Sequence, residues 1–156
     1  MKARLSATAQ QGSSLLEALV AILIFSMGVL ALISLQAVSI KNSIDAKYRA
    51  DASYLANQIV AQMWVDRSNI DSYGHYQTGA ICAPFTGSAS ANAKVSDATT
   101  GWVAQVVRLL PGAATDKTQI QVSTVGTTKR VKVTVCWQGP QETSAHNFVL
   151  TAQINP

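Results

Sequence analysis

From Ala18 to Ile40 the chain runs for 23 consecutive residues without a formal charge. A helix rises 1.5 Å per residue, so this stretch makes about 35 Å of helix against a bilayer hydrocarbon core of about 30 Å. It is long enough to span. A secretory signal has a shorter apolar core and ends in a small-x-small site, which Ser34-Leu35-Gln36-Ala37 matches poorly. The remainder of a 156-residue chain has room for one domain.

Composition sharpens this division. The chain is 48% apolar and 13% charged, and the apolar excess sits between Leu15 and Ile40, while the rest is rich in Ser, Thr, Ala and Gln. The formal charge of +4 includes Lys2 and Arg4, which precede the apolar run. Beyond them, Lys129, Arg130 and Lys132 alternate with Val131 and Val133, the pattern of a strand with a solvated face. No basic patch is left, which speaks against a nucleic-acid partner. The two cysteines, Cys82 and Cys136, are too far apart for a CxxC site and lack the histidines of a zinc site. A disulfide in an oxidising compartment is the better reading, with two buried thiols as the alternative. Closing that loop stabilises a fold by about 4 kcal/mol in the chain-entropy model.

Glu17 stands one residue before the apolar run, where a plain anchor has no use for a carboxylate. An ionisable group in or just under a bilayer costs a few kcal/mol unless paired, and such groups mark function. The string Gly12-Ser13-Ser14-Leu15-Leu16-Glu17-Ala18-Leu19-Val20-Ala21 resembles the type IV prepilin signature, in which a dedicated peptidase cuts after the glycine on the cytoplasmic side. The resemblance implies a leader over 1–12, cleavage between Gly12 and Ser13, and methylation of the new amino terminus at Ser13. It also implies a role for Glu17: pairing with the terminal ammonium of a neighbouring subunit inside an apolar filament core, which sets one subunit in register against the next. Ser13 stands where the family usually has Phe, and Ser34 where many major pilins have a helix-kinking proline.

Beyond the apolar run, Ile44, Tyr48, Ala52, Leu55, Ile59 and Met63 recur at helical spacing, with charged and amide residues on the flanks. One helix over 14–66 is therefore expected: an apolar half over 13–40 and an amphipathic half over 41–66. A globular part over 67–156 follows. Its first segment, 67–96, reads as an irregular connection rich in Gly, Ser and Ala. A short helix near 99–110, capped by Thr99 or Thr100, carries Trp102, Val106, Leu109 and Leu110 and stops at Pro111-Gly112. Three alternating strands come next, marked by Ile120 and Val122, then Val131, Val133, Val135 and Trp137, then Phe148, Leu150 and Ile154. Gly126-Thr127-Thr128 turns between the first two, and Gly139-Pro140 opens a longer connection to the third. The expected class is α+β, the stripe from Ile44 to Met63 covering the apolar face of a small antiparallel sheet.

This layout is similar to the pilin fold, and the stretches Phe25 to Gln36, Trp64 to Asn69, Trp102 to Gly112 and Val135-Cys136-Trp137 resemble PilV-type minor pilins. Such a relationship implies a single-pass inner-membrane protein with a periplasmic C-terminal part that primes type IV pilus assembly and sits in or at the tip of the filament. The implied partners are other minor and major pilins, the prepilin peptidase, the inner-membrane assembly platform and membrane lipid. A type II secretion pseudopilin shares the signature and is the nearest alternative; a tip module binding DNA or a surface ligand is another. No catalytic motif surrounds His75 or His146, which read as surface or turn histidines. Asp66, Asp71, Asp97 and Asp116 lack calcium-loop spacing and read as solvated loop positions. Neither an enzyme nor a cofactor or metal site is expected, and Trp102 and Trp137 are expected in the core.

Overall fold

The structure is a computed structural model that describes residues 11–155. It is α+β: a long N-terminal helix, α1 (Gln11–Val65), then a 3-10 helix (Arg67–Tyr73), α2 (Ala93–Ser96), α3 (Trp102–Leu109), a 3-10 turn (Thr115–Lys117) and strands β1 (Thr118–Val125), β2 (Thr128–Trp137) and β3 (His146–Ile154). The chain forms two compact units, Met1–Asp45 and Ala46–Pro156.

In the first unit the described residues are all helical, and the large apolar side chains from Leu15 to Ile40 are exposed around the whole helix. A helix that is apolar all round matches an apolar surrounding rather than one core face. Ile44, expected in the buried stripe, is 44% exposed.

In the second unit the stripe behaves as its spacing predicts. Ala52, Leu55, Ile59 and Met63 are fully buried and share one hydrophobic cluster with Ile120, Val131, Val133, Val135 and Ile154, while Tyr48 packs partly buried against it. Three- and four-residue steps put these side chains on one helical face, and period-two steps put the valines on one face of the sheet. Trp102 and Trp137 both lie in this core, 1% and 3% exposed.

The sheet is antiparallel in the order β1-β2-β3. Val125 faces Thr128 across a two-residue loop. Gly126 has φ +63 there, the positive φ that a two-residue hairpin asks of its first loop residue. The longer connection opens at Gly139-Pro140 as expected, and Glu142 shapes it: its carboxylate accepts from the Gly139 N–H at 3.0 Å and meets His146 Nε2 at 2.9 Å.

Two local expectations fail. The segment 67–96 is not wholly irregular, since it holds the 3-10 helix and α2. The N-cap of α3 is Gly101, without a side-chain cap. Thr99 and Thr100 instead serve Asp97, whose Oδ1 accepts both of their N–H groups and both of their hydroxyls at 2.7–2.9 Å. Four donors on one oxygen hold that carboxyl far below the usual range, the backbone N–H groups of Thr100 and Thr99 contributing most.

Candidate functional site

Three features expected to carry function sit on α1. Residues 1–10 of the proposed leader lie outside the described residues, while Gln11 and Gly12 begin the helix. Ser13 and Glu17 follow in helical conformation, both exposed. They are four positions apart, so they lie about 6 Å apart along the axis on the same side of the helix. Glu17 makes no hydrogen bond or ion pair with any described residue of this chain, and between it and Lys41 no titratable side chain occurs.

The apolar stretch is also quiet internally. Between Ala18 and Leu35 the hydroxyl-bearing side chains are Ser26 and Ser34, and each donates to the carbonyl four residues earlier, Ser26 to Ile22 at 2.7 Å and Ser34 to Leu30 at 2.9 Å. Backbone and side-chain polar groups are thus satisfied within the helix, the condition for immersion in hydrocarbon. The helix from Ser13 to Val65 is long and apolar enough to cross a membrane, with a peak mean hydropathy of 2.7, and is compatible with a single-pass protein. Gly28 has open space around it, with nothing within 4 Å of where a Cβ would stand.

Cys82 and Cys136 are joined, with their Cα atoms 5.5 Å apart at a sequence separation of 54. The bond fastens the connection 74–92 to the middle strand, on the face of β2 that looks away from the core cluster. The same connection also closes the outer edge of β1. His75 exchanges both backbone hydrogen bonds with Ile120, at 2.9 and 3.0 Å. Gln119 and Gln121 donate from their side chains to the carbonyls of Tyr76 and Gln77, and the Val122 N–H donates to Gln77 Oε1.

His75 corrects an expectation, because it is buried rather than a surface residue, at 2% exposure. Its Nδ1 accepts from the Ser90 N–H at 3.1 Å, and its Nε2 faces the Thr115 carbonyl at 3.2 Å. A carbonyl needs a donor and an N–H needs an acceptor, so the ring is held as the neutral Nε2–H tautomer. Burial pushes its pKa down, partly opposed by the Thr115 carbonyl. His146 is not a turn residue either: it opens β3, pairs with Glu142 and stacks on Trp137 with ring centroids 5.8 Å apart.

The aspartates divide. Asp71 is exposed and pairs with Lys129 at 2.8 Å. Asp66 is not a plain solvated position: its carboxylate accepts from Asn69, Tyr73 Oη and Lys94 Nζ at 2.7, 3.0 and 3.0 Å. Those donors, Asn69 foremost, lower its pKa, while burial and then the Asp66 contact raise that of Tyr73. The spacing Asp66-x-x-Asn69 just after a long apolar stripe, and Asp97-x-Thr99-Thr100 just before a short one, are the sequence signals that mark both as local structural hubs. An open groove of about 650 Å³ runs beside α3, lined by His75, Asp97, Val103, Val107 and Arg108 among others. His75 and Asp97 are both spent on internal hydrogen bonds there.

Among the described residues, no three or more His, Cys, Asp or Glu side chains cluster to hold a metal ion. No family model matches the chain, and neither a curated protein nor a solved structure does.

Proposed function

We propose that this chain is a minor pilin of the type IV pilus class, inserted in the bacterial inner membrane through α1 and processed between Gly12 and Ser13. What carries the proposal is Glu17: a carboxylate with no partner among the described residues of its own chain, one helical turn from the future amino terminus, at the head of a charge-free helix. In an apolar filament core the attraction between that carboxylate and a neighbour's ammonium is far stronger than in water. The Cys82–Cys136 bond supports a periplasmic location for the second unit, since such bonds persist in oxidising compartments. Its role in this reading is to prime pilus assembly with other minor pilins and to enter the filament or its tip.

The amino-terminal sequence of the protein recovered from its native cell tests this. A start at Ser13 is expected, and functional protein that retains its first twelve residues overturns the proposal. Loss of twitching with secretion intact on deletion supports the pilus; the opposite pattern moves the chain to a type II secretion pseudopilus.

A further inference from the structure

The two edges of the sheet are treated differently. Because His75 takes both backbone bonds of Ile120, Ile120 points its N–H and C=O away from β2. Its neighbours Gln119 and Gln121 therefore bond across to Thr134 and Lys132. Hydrogen-bonding direction alternates along a strand, so Val131, Val133 and Val135 of β2 bond to Ala152, Leu150 and Phe148 of β3. It follows that Asn147, Val149, Thr151 and Gln153 turn their N–H and C=O groups outward, and all four residues are exposed. No described residue takes up these groups.

Edges of this kind are usually blunted by a proline, a lysine or an inward charge, or covered by a loop. β3 has none of these: from Asn147 to Ile154 it carries no proline and no charge, and it pairs without a break along its whole length. Beside it on the outward face of β2 stand Arg130 and Lys132, opposite Gln153 and Thr151. Neither forms an ion pair with a described residue.

We propose that β3 is a docking edge for an extended acidic segment of another protein, which adds as a fourth strand and sets its carboxylates toward Lys132 and Arg130. An added strand lies two strand spacings from β2, roughly 10 Å, a gap that lysine and arginine side chains bridge together with a glutamate. A second copy of this chain fits less well. Its own β3 brings no carboxylate, and the β1 edge that would accept β3 head to tail is already closed by His75 and Gln77. The inference does not rest on the assignment to a filament.

Residue-resolved amide hydrogen exchange on the full chain in detergent micelles tests it, with a synthetic nonapeptide alternating valine and glutamate as probe and its valine–lysine counterpart as control. The glutamate peptide slows exchange at Asn147, Val149, Thr151 and Gln153, and binds about tenfold more tightly than the lysine peptide. Val149→Pro removes one outward N–H and no ladder bond, so it abolishes binding while the amides of Phe148 and Leu150 stay protected. Arg130→Glu with Lys132→Glu reverses the peptide preference. The proposal is overturned if the outward amides ignore both peptides, if both bind equally, or if raising the protein concentration alone protects them, which assigns the edge to a second copy.

Discussion

The indole Nε1–H of Trp102 donates to the main-chain carbonyl of Leu55 at 2.8 Å, and both residues are buried. The bond fixes α3 against α1 at the centre of the cluster, so it joins two elements that are 47 residues apart in sequence. The Leu55 carbonyl lies inside α1 and keeps its own helix bond, so removing the indole donor deletes the cross-link without stranding an acceptor. Trp102→Phe is expected to cost about 0.5–1.5 kcal/mol of stability for the lost bond, and Trp102→Ala about 3–5 kcal/mol because a cavity is added. Urea unfolding of the two variants in one detergent gives the comparison.

Glu17→Ala is expected to leave membrane insertion intact, since it removes a charge from the end of an apolar helix, and to block entry into filaments. Carbonate-resistant membrane fractionation measures the first and immunoblotting of sheared surface filaments the second. A normal filament signal from that variant removes the pairing role of Glu17.

Cys136→Ser opens the loop that begins at Cys82. At a sequence separation of 54, the expected loss is about 4 kcal/mol in the chain-entropy model. Thermal unfolding of oxidised and reduced protein, with intact mass showing a two-hydrogen difference between them, checks both bond and magnitude.

His75 makes stability depend on pH. Its folded pKa lies below the ordinary value of 6.5, so the unfolded chain binds more protons in the window just under 6.5 and stability rises with pH there. The contribution is complete above about pH 6.5 and is lost as pH falls toward the folded pKa. Protonation would also place a hydrogen on Nδ1, where the Ser90 N–H now donates. His75→Asn is expected to flatten this part of the curve, read as urea midpoints between pH 7.5 and pH 5.

Gly101→Ala is expected to destabilise the second unit by about 1–3 kcal/mol. A Cβ at that position would meet Asp97 O at 2.5 Å, Asp97 N at 2.6 Å and Val95 O at 2.8 Å, all main-chain atoms that cannot rotate away. Gly28→Ala, with open space around it, is the control that leaves insertion unchanged.

Helix and sheet are legible in the residues because periodicity reports directly on faces. Spacings of three and four from Tyr48 to Met63, and of two from Val131 to Val135, anticipate the shared cluster. Ile44 continues the same spacing yet stays exposed, because periodicity states which side of a helix a residue occupies and not how far the core extends along it. His75 shows the complementary gap. Nothing beside it in sequence announces burial, since its partners Ser90 and Thr115 lie 15 and 40 residues away. Thr99 and Thr100 fit the cap of a following helix, but Asp97 engages them first through shorter connections. At the amino terminus, Glu17 is legible for the opposite reason: a lone charge stands out against a long neutral background, and no tertiary contact is needed to notice it.

Ser26 and Ser34 fold their hydroxyls back onto carbonyls of their own helix. A cylinder that keeps its alcohols to itself offers only hydrocarbon to its environment, so exchanging lipid tails for the flanks of other helices strands neither hydroxyl. In the proposed filament, extraction from one greasy medium into another then leaves Glu17 as the charged group at the head of this stretch whose surroundings change, so a short-range electrostatic latch at one end would govern a movement along the whole length.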